Sequence, residues 1–154
     1  MADETRTDAP GAHDHAGMDM PAEDGARFGA PGSVDVEALG LLVGAAFDGC
    51  VPCQEASIGQ VAGDPLTLTR LVELSAVAVA KLAGGLPPTM LAENDDESTL
   101  GGPYRAMLRA GADQDGVHTR MYALADRLSE AGRRQVTEDA LDMLTGVLVI
   151  GPGL

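Results

Sequence analysis

Tryptophan is absent, and aromatic residues make up only 3% of the sequence: Phe28, Phe47, Tyr104 and Tyr122. A sandwich of β-sheets draws on aromatic and β-branched side chains, so this scarcity points to closely packed, aliphatic, Ala-rich helices. Lysine is nearly missing too. Lys81 stands alone beside nine arginines, and these ten cations face 24 acids for a formal net charge of −14. Such a surface repels phosphate backbones and anionic lipid, because binding either needs Lys and Arg to displace counterions. No apolar run approaches the length that spans a bilayer. The opening Met1-Ala-Asp-Glu-Thr-Arg6 lacks the basic and apolar regions of a signal peptide. The expectation is therefore a cytoplasmic protein with neither nucleic acid nor membrane as a partner. With two cysteines there is no disulfide scaffold and no four-cysteine zinc site. No P-loop, Gly-x-Gly-x-x-Gly, His-Glu-x-x-His or Ser–His–Asp pattern is present either. No cofactor is expected, and the chain leans away from catalysis.

What the sequence does hold is 45% hydrophobic residues in 154, enough for one domain with a real core. Residues 1–32 carry seven acids and, after Met1 and apart from Met18, Met20 and Phe28, no large apolar side chain. Burial there would not offset ordering entropy, so the segment reads as a disordered acidic tail. The helical domain is expected over 33–154. Ser33 is the expected N-cap of a first helix carrying Val36, Leu39, Val43 and Phe47, and a short helix is expected from about Pro52 to Val61. Asp64-Pro65 is a strong helix start, a capping carboxylate directly before a proline whose missing N–H costs nothing there. Leu68, Leu71, Val72, Ser75, Val79 and Leu82 then follow one stripe, widened by Leu74, Val77 and Ala78, until Gly84-Gly85 stops it. Further helices are expected at Pro103–Ala110, at Asp115–Ala131 with Gly132 as its end, and after Thr137, where Val136 and Leu141 would form a hydrophobic staple. The sum is an all-α fold, an irregular bundle of five or six helices.

Three patterns carry chemical interest. Cys50-Val-Pro-Cys53 sits before a helix start, where the helix dipole favours the thiolate of Cys50 and the spacing lets Cys53 resolve a mixed disulfide. The motif resembles, over a short segment, the helical Cys-x-x-Cys of the AhpD-like (carboxymuconolactone decarboxylase) family. The resemblance implies an all-α thiol–disulfide protein. Where that family has a histidine four residues after the second cysteine, this chain has Ser57. His13, His15, Met18 and Met20 alternate with acids, and thioether with imidazole suits copper or zinc. Glu93, Asp95, Asp96 and Glu97 form a carboxylate-rich loop without the glycine and the closing glutamate of a calcium loop, so it reads as solvated. The leading expectation is a non-enzymatic helical module that binds another protein or itself. Its interface is placed at the apolar C-terminal run Val147, Leu148, Val149 and Ile150. Thiol–disulfide exchange at Cys50 and Cys53, and metal binding by the His/Met tail, are the rival readings.

Overall fold

A computed structural model describes residues 19–112 and 118–150, with the side chains of 148–150 excepted. Among the described residues the chain forms six α-helices and no strand: α1 Val36–Phe47, α2 Val51–Ala62, α3 Pro65–Ala83, α4 Gly102–Ala112, α5 Thr119–Arg127 and α6 Glu130–Ile150. The all-α bundle expected from composition and periodicity is the observed fold. None of the described helices is long and apolar enough to cross a membrane.

α3 and α6 pack together most extensively and form the centre. The α1–α2 hairpin covers one side and the α4–α5 hairpin the other. The reason α3 is central lies in its stripe: Leu68, Leu71, Val72 and Ser75 are all fully buried. It begins as expected, with Asp64 accepting from the Leu66 N–H, and ends at Gly84 in the left-handed region (φ 78°). Two of the residues assigned to its buried face are corrections. Leu82, in the last turn, is 37% exposed, and Val77, which borders a cavity, is 48% exposed. The single fully buried tyrosine, Tyr104 on α4, shares a 2.8 Å hydrogen bond with Ser75 on α3. Burial dominates its environment and pushes its phenol up to about 12.

The N-cap of α1 is Asp35, not Ser33. The Asp35 carboxylate accepts from the Ala38 N–H at 3.0 Å, while Ser33 forms an isolated antiparallel bridge with Asp24. The Asp35 N–H donates to the Thr67 hydroxyl, which donates in turn to Asp64, so the starts of α1 and α3 are tied together. The boundary between α5 and α6 also differs from expectation. α5 ends at Arg127, Leu128 turns extended, and α6 starts at Glu130 with Gly132 inside its first turn. The Ser129 hydroxyl accepts from the Gly132 N–H at 3.0 Å, and capping by serine outweighs the helix-ending tendency of the glycine. Val136 is then a buried mid-helix residue rather than one half of a staple.

The packed chain begins before Ser33. Met20 is partly buried against the core, and Phe28, in a single 3-10 turn Ala26–Phe28, is completely buried. Residues 23–34 form a strap closed on itself by Val34 N–H to Glu23 O (2.8 Å) and Gly25 N–H to Gly32 O (2.8 Å). This strap lies against α5 and, through Arg27, against α3.

Candidate functional site

The α1–α2 corner places both cysteines. Asp48 caps α1, and Gly49 adopts φ 75°, a left-handed conformation that only glycine takes without strain. The Cys50 N–H reaches back to Ala45 O (3.0 Å) and the Gly49 N–H to Ala46 O (3.1 Å), the paired bonds of a Schellman motif. Cys50 is at the same time the N-cap of α2, half-buried, and Cys53 is buried one turn in. Space is open around Gly49, so a Gly49→Ala variant meets no clash and loses stability only through its backbone. The expected loss is about 1 kcal/mol, read from chemical denaturation.

The same turn presents Phe47, 55% exposed, as the last residue of α1 and Val51, 62% exposed, as the first of α2. These are the two most exposed large apolar side chains among the described residues. Sequence reasoning assigned Phe47 to the buried stripe of the first helix. The structure places it at the helix end, more than half exposed.

Of the tail residues assigned to metal, His13, His15 and Met18 lie outside the described residues, and Met20 packs against the core. Of the C-terminal run, Val147 is partly buried against the core, and the side chains of Leu148, Val149 and Ile150 lie outside the described set. The carboxylates of the 93–97 loop do not converge: no group of three metal-binding side chains occurs among the described residues. Asp95 instead pairs with Arg105. Arg105 is only 1% exposed and donates to Ala92 O (2.6 Å), Leu100 O (3.0 Å) and Asn94 O (3.3 Å). Arg109 adds a bond to Ala92 O at 2.7 Å. Two guanidinium groups therefore satisfy carbonyls of the segment 92–100, whose only regular element is the 3-10 turn Asp95–Glu97.

A charged cluster that sequence reasoning missed lies where the strap meets α3. Glu73, 8% exposed, takes both guanidinium nitrogens of Arg27, one of them at 2.9 Å, and Arg70 at 2.6 Å. Its other contact is His118, whose Nε2 is 3.0 Å from Oε2. Burial pushes the Glu73 carboxyl up, but the hydrogen bonds and charges of Arg27 and Arg70 outweigh it and hold the group below its ordinary value. The Arg27 guanidinium also lies 4.5 Å over the Phe28 ring, whose centroid is 6.0 Å from that of His118. His118 is fixed from its backbone as well, by donation to Arg27 O at 3.1 Å. Its Nδ1 is buried and has no hydrogen-bond partner, alone in this respect among the described side-chain polar atoms. The available signal was a lone acid inside the apolar stretch Leu71–Ala80, where an uncompensated carboxylate is not tolerated.

Beside this cluster a cavity of about 200 Å³ opens between α3, α4 and α5. Ala76, Val77 and Ala80 form one wall, Leu108, Gly111 and Ala112 another, and Met121 and His118 the third. The small residues at 76, 80, 111 and 112 leave the space. Gly111 also lets Met121 approach, since a Cβ there would lie 2.6 Å from its sulfur. A larger depression of about 560 Å³ between α3, α6 and the 96–100 loop is rimmed by Asp96 and Glu97 and open to solvent.

Comparison with known proteins gave no match: no family model, curated protein or solved structure is significantly similar to this chain.

Proposed function

We propose that the chain is a non-enzymatic helical module that works through protein–protein contact, self-association first, with the α1–α2 corner as its contact point. The observation that carries this reading is the exposure of Phe47 and Val51 on the two sides of one tightly bonded turn. The sequence has two phenylalanines, and one of them stands in water at a helix end. Apolar side chains held on a rigid turn lose little conformational entropy when covered, which favours association through them. The apolar end of α6 from Val147 onward is a second contact in the same proposal, assigned on sequence grounds.

Charge sets the condition for the test. A net charge of −14 makes two copies repel, and salt screens that repulsion. Sedimentation across a concentration series should show reversible association that strengthens with added salt. A Phe47→Asp, Val51→Asp double variant should keep the thermal midpoint, because both side chains are more than half exposed, and weaken association by about tenfold or more. A chain that stays monomeric at high concentration and high salt, with and without these substitutions, rules out self-association through the corner.

A further inference from the structure

The unpartnered Nδ1 of His118 and the neighbouring cavity belong together. Glu73 is ionised and sits 3.0 Å from Nε2, so Nε2 carries the proton and donates it to the carboxylate. In the neutral imidazole that arrangement leaves Nδ1 as a bare acceptor. It is sealed from water and receives no donor, which is the costly state for a buried polar atom. His118 also lines the cavity, and apart from Glu73 the other described residues around it are apolar. The volume of about 200 Å³ is that of a site for one ring: an apolar cavity of roughly 150 Å³ takes a benzene molecule.

We propose that this cavity is a binding site for a phenol-sized molecule, an apolar ring carrying one hydroxyl group that donates to His118 Nδ1. Ala76, Ala80 and Leu108 cover the ring. Glu73 acts as a positioning residue: it fixes which imidazole nitrogen accepts and, gripped by Arg27 and Arg70, is not available to the ligand itself. For the hydroxyl to reach a nitrogen that water does not reach, an apolar side chain beside it gives way. Met121, three residues beyond His118 and on the same wall, is the most adaptable side chain there. The site is independent of the α1–α2 corner.

Phenol and toluene test this directly, because they have the same number of heavy atoms and differ by a hydroxyl for a methyl. A purely apolar cavity prefers toluene, since burying an unpaired hydroxyl is unfavourable. Calorimetric titration of the full chain should instead show phenol binding about tenfold or more tightly than toluene. Ala80→Leu, at a half-buried position, should fill the cavity and remove binding of both while the helical circular dichroism is kept. His118→Phe retains a ring against Phe28 and should reverse the preference, with toluene still bound. The proposal fails if neither compound saturates the protein or if toluene binds as well as phenol. It also fails if the phenol preference survives His118→Phe, or if binding survives Ala80→Leu.

Discussion

Phe28→Ala is expected to lower the unfolding free energy by about 3–5 kcal/mol, the range for a phenylalanine removed from a packed core. Phe28 has no exposed surface, although it lies in a stretch whose composition reads as a solvated tail. Its ring sits beside His118 and under the Arg27 guanidinium, so truncation empties a space between the strap and the start of α5. The loss should appear as a fall of roughly 10 °C or more in the thermal midpoint. Removal of residues 1–32 should do at least as much, because it deletes Phe28 together with the Arg27–Glu73 pair. A segment that merely trails from the domain would leave the midpoint unchanged under both treatments.

How far the sequence reveals the fold depends on how local each signal is. Asp64-Pro65 and Gly84-Gly85 frame α3 because each acts on its own backbone, through a capping carboxylate, a preset φ and a left-handed stop. The junction of α5 and α6 was not legible, since Ser129 and Gly132 each send a local signal and they point in opposite directions. Only the bond that the Gly132 N–H donates to the Ser129 hydroxyl oxygen decides between them. The exposure of Phe47 was not legible, because its place on the first-helix stripe is consistent with burial. Phe28 was hidden for a different reason: one aromatic residue among seven acids barely moves the average hydropathy of its segment. The site around Glu73 was the least legible. Arg27 and Glu73 are 46 residues apart, and nothing in either neighbourhood names the other. The two cysteines were conspicuous in the sequence, and the structure accounts for Cys50 as a turn-closing N-cap.

Substitution of Glu73 should be as damaging as that of Phe28, and its signature lies in pH. Removing one member of a buried ion pair leaves the others desolvated and uncompensated, which costs about 3–5 kcal/mol. In Glu73→Ala those others are Arg27, whose side chain is 30% exposed, and Arg70, at 15%. The greater exposure of Arg27 puts the expectation near the lower end, at about 3 kcal/mol. The folded protein holds the Glu73 carboxyl below its ordinary value of 4.5, so the unfolded chain takes up a proton at this group more readily than the folded one. This contribution is therefore fully present above the unfolded value and is lost as the pH falls through the lower folded one. Wild-type stability should decline on acidification from about pH 4.5 downward. The Glu73→Gln variant, uncharged throughout, should start lower at neutral pH and show a shallower decline across that window. Urea denaturation of the two proteins at neutral pH and at successive steps below pH 5 measures both slopes. Parallel curves would mean that Glu73 ionises alike in the folded and unfolded chain, and that the strap is held in place by the burial of Phe28 rather than by charge.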